Sequence, residues 1–130
     1  EKDAMNVVEL VASEYGVDRS RIYLMGNSMG GFGTWYLGQK YAERWAAIAP
    51  AAGTPVGEGF PIERLKGLPI MYTNGEKDMT VRVEGARAMM AYLKSKGFDI
   101  PYNEIKDGTH DMSVWQALPA IFDFFEKHRK

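Results

Sequence analysis

The most constraining feature of this chain is a serine between two glycines, at the end of a short apolar segment. Residues Ile22–Met25 are mostly apolar and predict a strand, and Gly26-Asn-Ser-Met-Gly30 follows directly. A helical pattern then begins at about Met29. A serine on so sharp a strand-to-helix turn needs a strained backbone, and we expect that side chains at positions 26 and 30 would clash there. The Ser28 hydroxyl would stand exposed, with the Met29 N–H first among the amides pointing at it.

The alternative to a nucleophile is a glycine-rich turn with an unreactive serine. A partner base elsewhere in the sequence would favour the nucleophile. A serine alcohol is a weak nucleophile and needs such a base. The chain has two histidines. His128 lies in a charged tail typical of a solvated helix end. His110 follows the last predicted strand in a loop, on the side of the sheet where Ser28 opens. We therefore predict that His110 is the base.

The third member of such a site is a carboxylate that orients the imidazole. Asp78 directly follows the third predicted strand and is our choice. Glu76 is adjacent and stays an alternative. Asp107 and Asp111 are neighbours of His110 and could simply cap its loop. The spacing of these four carboxylates fits no known oxygen-ligand loop, so we predict no metal, and the chemistry needs no cofactor.

Periodicity predicts strands alternating with helices along the whole chain. The predicted strands are Ile22–Met25, Ala46–Ala49, Pro69–Thr73 and Tyr102–Ile105. The predicted helices are Asp3–Tyr15, Met29–Ala42, a single turn at Pro61–Leu65, Val83–Lys96 and a final helix from Val114 to Phe125 that Pro119 interrupts. This order is typical of an α/β fold, with about four parallel strands flanked by helices. With 130 residues, the chain has room for one domain, residues 1–130.

Composition excludes several classes of function. The chain contains no cysteine, which excludes a disulfide framework, a thiolate nucleophile and a cysteine zinc site. Its net charge is −1 and no block is strongly basic, so we expect no nucleic-acid partner and no anionic-membrane partner. No apolar run approaches the length of a membrane span, and no charged-then-apolar leader opens the sequence, so we expect no signal peptide. The sequence does not indicate a cellular compartment.

Five segments together resemble the carboxyl-terminal half of an α/β-hydrolase of the esterase and prolyl-oligopeptidase-like group, which includes feruloyl and acetylxylan esterases and dienelactone-hydrolase-like proteins. The segments are Val17-Asp-Arg-Ser-Arg-Ile-Tyr-Leu, Gly26-Asn-Ser-Met-Gly-Gly-Phe-Gly-Thr, Ala46-Ala-Ile-Ala-Pro-Ala-Ala-Gly, Asn74-Gly-Glu-Lys-Asp and Gly108-Thr-His. The resemblance implies Ser28 as nucleophile, His110 as base and the Met29 N–H as an oxyanion donor. The family's order of serine, acid and histidine selects Asp78 as the acid. Asn27 departs from the group, which often has histidine there.

The resemblance implies a truncated hydrolase core in which the elbow strand Ile22–Met25, normally central, lies at the sheet edge. We expect a homodimer or higher oligomer to cover this edge, which light scattering at micromolar concentration would detect. The loop that normally donates the second oxyanion amide is absent. Gly30, a residue of the 53–61 loop or a partner chain would have to supply that donor.

The activity implied is therefore a serine carboxylic-ester hydrolase, slow and promiscuous on short-chain esters. A serine peptidase and an inactive fragment that pairs with a missing N-terminal half are the alternatives. Among other features, Trp35, Trp45 and Trp115 are predicted to be core residues. Met29, Met79 and Met112 could form an apolar rim around the site. The 53–61 loop either contacts substrate or is a plain connector.

Overall fold

The computed structural model describes residues 1–55 and 59–130, and its elements follow the predicted order closely. The helices are α1 (Lys2–Glu14), α2 (Met29–Lys40), α3 (Val83–Ser95) and α4 (Ser113–Glu126). The strands are β1 (Tyr23–Asn27), β2 (Ala47–Ala51), β3 (Tyr72–Gly75) and β4 (Tyr102–Ile105), and short 3₁₀ turns cover Arg19–Arg21, Ala42–Arg44 and Ile62–Leu65. In this described part, none of the helices has the length and apolar character needed to cross a membrane.

The four strands form one parallel sheet in the order β1-β2-β3-β4, so the predicted fold class is confirmed. Strand β1 lies at one edge, as the family resemblance implied. The partner expected on that edge stays a prediction. In a parallel sheet all carboxyl ends meet on the same side. The segments that follow β1, β3 and β4 carry Ser28, Asp78 and His110, so the topology brings three distant parts of the chain to one end of the sheet.

Side chains alternate across the sheet and divide the core into two clusters. One cluster includes Ile48 and Tyr72 of the sheet together with Trp35 of α2, and residues of α1 and α3 pack with it. The other includes Ala47, Ala49 and Met71 and is covered by α4 through Ala117, Ile121 and Phe125. The sheet is therefore covered by helices on both faces, and its carboxyl end lies beneath the site.

Strand β2 consists mostly of alanine, a poor strand former, yet all five of its residues are buried. Small residues allow α2 to approach the sheet closely. A side chain added at Gly38 of α2 would meet Ile48 Cδ1 at 2.6 Å. The strand therefore forms because it packs against a close helix, which outweighs its weak intrinsic propensity.

Helix α4 is continuous through Pro119, so the predicted interruption at that residue is wrong. Proline lacks an N–H, and a helix interior normally loses a hydrogen bond there. Residues on both sides of it, Ala117 and Ile121, are buried against the sheet. Their common packing face keeps both halves of the helix against the sheet, which sequence periodicity alone does not reveal.

Candidate active site

Ser28 has the strained backbone expected of a sharp strand-to-helix turn. Its φ is 57° and its ψ is −118°. The Ser28 N–H donates to Ala51 O at 3.0 Å, and its carbonyl accepts from Phe32 N at 3.1 Å. Its hydroxyl makes no capping bond to α2. The backbone is therefore held from both sides while the side chain is left available for another partner.

That partner is His110, which also contacts Asp78. His110 Nε2 lies 2.7 Å from Ser28 Oγ, and Nδ1 lies 2.8 Å from Asp78 Oδ2. When the Nδ1–H donates to the carboxylate, Nε2 is left to accept the serine O–H. The structure thus brings the three residues predicted from the sequence into one hydrogen-bonded chain, although they are far apart in the sequence.

Asp78 is buried, with 3% of its surface exposed. Its Oδ1 accepts from the N–H groups of Thr80 and Val81, both at 2.8 Å. Its own N–H donates to Gly75 O at 3.2 Å. These bonds satisfy one carboxylate oxygen from the backbone and leave Oδ2 for the imidazole.

Two of the other candidate carboxylates, Glu76 and Asp107, hold the two loops together instead of reaching the imidazole. Glu76 Oε2 accepts from Asp107 N at 3.0 Å. Asp107 Oδ1 pairs with Lys77 Nζ at 2.5 Å, and Lys77 N donates to Gly108 O at 2.9 Å. Asp111 is exposed. The loop that carries Asp78 and the loop that carries His110 are therefore connected by contacts outside the Ser28–His110–Asp78 chain.

The amides of Met29 and Gly30 lie in the first turn of α2, directly after Ser28. N–H groups of a first turn have no partner within the helix and carry its positive dipole end. The Met29 side chain points into solvent, with 85% of its surface exposed. This end of the helix is suited to stabilise negative charge that develops beside Ser28.

Known proteins match both the sequence and the fold. The family model described as "Prolyl oligopeptidase family" matches residues 1–56. A bifunctional acetylxylan esterase/xylanase of Neocallimastix patriciarum is 33% identical over 72 residues. The crystal structure of a thermostable esterase matches 98% of this chain with a TM-score of 0.82 at 27% identity. The chain therefore has the fold of part of an α/β-hydrolase.

The chain spans only part of the length of these matched proteins. The match to the acetylxylan esterase/xylanase covers 55% of this chain and 10% of that protein. The chain covers 36% of the thermostable esterase. An S-formylglutathione hydrolase from Staphylococcus aureus, 17% identical with a TM-score of 0.77, is covered over 59% of its length by 94% of this chain.

The glycines around the turn correct one prediction, and two further glycines prove to be closely packed. A Cβ at Gly26 would lie 2.3 Å from Gly30 O, as the expected clash requires. The expectation for Gly30 is wrong, because an added Cβ meets no described atom within 4 Å. Gly31 and Gly53 are the crowded positions instead: their Cβ atoms would lie 2.2 Å from Ala51 O and 2.6 Å from Phe32 N. The pair Gly30-Gly31 was visible in the sequence, but only the packing of α2 on β2 shows which member matters.

Gly31→Ala is expected to destabilise the protein by about 1–3 kcal/mol, while Gly30→Ala leaves stability within about 1 kcal/mol of the parent. The Gly31 variant forces α2 away from the backbone of β2, whereas the Gly30 variant adds a methyl group in open space. Chemical denaturation of both variants measures the difference. Equal stabilities would contradict the tight packing of α2 at Ala51.

The tryptophans divide into core and surface. Trp35 and Trp45 are buried, as predicted, and their indole N–H groups donate to Gly53 O and Leu37 O. Trp115 is 65% exposed, so its prediction as a core residue is wrong. Helix α4 turns the side of Val114 towards the sheet, and the residue that follows points outward.

Three methionines and part of the 53–61 loop make up the wider surroundings of the site. Met29, Met79 and Met112 are all exposed beside the three site residues, and the apolar rim stays a prediction. Within the 53–61 loop, Val56, Gly57 and Glu58 lie outside the described residues. Its contact with substrate stays a prediction. His128 lies just past α4, with Nδ1 2.7 Å from Phe124 O, and takes no part in the chain at Ser28.

Proposed function

We propose that this α/β-hydrolase is a serine hydrolase that acts on carboxylic esters. The observation that carries the proposal is the continuous chain of hydrogen bonds from Asp78 through His110 to Ser28, at 2.8 and 2.7 Å. A nucleophile, a base and a group that orients the base are the parts that acyl transfer requires. The esterase names among the matching proteins support the same reaction class.

In the proposed reaction Ser28 Oγ attacks the ester carbonyl, and its proton passes to His110 Nε2. Asp78 stabilises the imidazolium through the Nδ1–H. The tetrahedral intermediate collapses, and the leaving alcohol takes the proton from Nε2. Water then attacks the acyl-enzyme, gives its proton to His110 and releases the acid, after which the proton returns to Ser28. No cofactor enters any step.

The oxyanion would be bound by the Met29 N–H at the start of α2. A second donor would come from Gly30, from the 53–61 loop or from polypeptide outside this chain. Losing one oxyanion donor costs about 10²–10³-fold in rate, so we expect slow turnover that discriminates little among short-chain esters.

Labelling with a fluorophosphonate probe, followed by peptide mass spectrometry, tests the proposal directly. We expect phosphonylation at Ser28 and measurable hydrolysis of p-nitrophenyl acetate and butyrate. Folded protein that takes no label would favour the inactive-fragment alternative. The match of residues 1–56 to the prolyl oligopeptidase family keeps a serine peptidase as the second candidate. Faster turnover of a peptide p-nitroanilide than of the matching ester would favour that candidate.

A further inference from the structure

We propose that Asn74 is a positioning residue, which holds the segment Gly75–Val81 in the shape that presents Asp78 to His110. The inference rests on the proposed function, since it assigns how the acid of that site is held. Asn74 is the third residue of β3, and its side chain lies on the same face of the sheet as that of Tyr72. It does not touch the histidine or the serine through any described hydrogen bond.

The Asn74 amide bridges the two ends of this segment. Its Nδ2 donates to Gly75 O and to Val81 O, both at 3.1 Å. Asn74 is 0% exposed. One side chain therefore uses both of its N–H groups to connect two carbonyls that flank Asp78 in the chain, and so closes the segment into a ring.

The orientation of the amide is set by Tyr72. The Tyr72 hydroxyl donates to Asn74 Oδ1 at 3.1 Å. Burial raises the pKa of Tyr72, and the nearby charge of Asp78 adds to the effect, so the phenol stays protonated at neutral pH. With its oxygen facing a donor, the amide presents its N–H groups to the two carbonyls and cannot turn over without losing all three bonds.

Inside the ring, Asp78 and Asn74 both bond to the backbone of Val81. Asp78 Oδ1 accepts from Val81 N, and Asn74 donates to Val81 O. Loss of the Asn74 amide would leave Val81 O without this donor in a partly buried place, and Gly75 O would keep only the bond from Asp78 N. The segment then has to open to reach water, which moves the carboxylate away from His110 Nδ1. A displacement of about 1 Å at such a site costs about 10²-fold in rate.

The test compares Asn74→Ala and Tyr72→Phe with Thr73→Val as the matched control. Thr73 lies between them on the same strand, is equally buried, and its Oγ1 has no hydrogen-bond partner among the described residues. We expect kcat for p-nitrophenyl butyrate to fall about 10²-fold in Asn74→Ala and about tenfold in Tyr72→Phe, with KM unchanged. Thr73→Val is expected to keep the parent kcat.

Proton NMR of the resting protein gives a second readout. The N–H shared by His110 and Asp78 should give a resolved downfield resonance in the parent and in Thr73→Val, and a broadened or absent one in Asn74→Ala. A sharp resonance and parent kcat in Asn74→Ala would overturn the proposal. If that variant does not fold, Tyr72→Phe decides: parent kcat and a sharp resonance would overturn it, and loss of both would support it. If the parent hydrolyses no ester, the proposed function fails, but the resonance in the variants still tests the role of Asn74.

Discussion

Ser28→Ala is expected to abolish fluorophosphonate labelling and to reduce kcat for ester hydrolysis by on the order of 10⁵–10⁶-fold, down to the weak catalysis that the remaining site provides. The variant removes the oxygen that would form the acyl-enzyme. Its fold should be preserved, because the Ser28 hydroxyl makes no capping bond to α2 and the two backbone bonds of this residue remain. Turnover of p-nitrophenyl butyrate and denaturation curves measure both effects.

The matched control for this variant is Ser13→Ala. Ser13 lies on α1, where its hydroxyl donates only to Leu10 O at an exposed position. We expect it to label and turn over like the parent. Equal rates for the parent and Ser28→Ala would show that any measured hydrolysis does not use the proposed nucleophile.

Asp78→Asn is expected to lower kcat by about 10⁴-fold with little change in KM. Thr80 N and Val81 N both donate to Oδ1, so the asparagine must place its oxygen there and its NH₂ group towards His110. The imidazole then has to accept at Nδ1 and carry its proton on Nε2, where it cannot take the proton of Ser28. Steady-state kinetics of the purified variant measure the loss.

Glu76→Gln and Asp107→Asn are the controls for the acid. Both carboxylates contact the opposing loop and neither contacts the imidazole, so each variant is expected to lose less than about tenfold in kcat. A loss as large as that of Asp78→Asn in either control would contradict the assignment of the acid. A small loss in Asp78→Asn would do the same.

Spacing in the sequence did not by itself show which carboxylate orients His110. Glu76, Asp78, Asp107 and Asp111 all lie close in sequence to a candidate strand end, and spacing alone left them open. Which carboxylate reaches the imidazole depends on how two loops, each following a different strand, pack against one another. The buried position of Asp78 and its two backbone donors distinguish it.

The incorrect predictions for the crowded glycines and for Pro119 have the same physical cause. Gly31 is crowded because α2 packs closely against Ala51 O of β2, which is a different element of the chain. Helix α4 passes through Pro119 because its buried side packs on the sheet. Both outcomes are set by contacts between elements, which local periodicity does not contain.

The position of β1 at the sheet edge was implied by the family resemblance. Hydrophobic periodicity and glycine spacing predicted the order of strands and helices, the parallel sheet, and the placement of Ser28 on a turn between an apolar strand and a helix. These features are local, since they depend on hydrophobic period and on the backbone freedom of residues a few positions apart. The family's order selected Asp78 as the acid in advance. Whether that carboxylate reaches His110, which glycine packs against the sheet and which amide closes the loop around Asp78 were visible only in the tertiary structure. Those choices depend on distances between strand ends that are far apart in the chain and meet only when the sheet has formed.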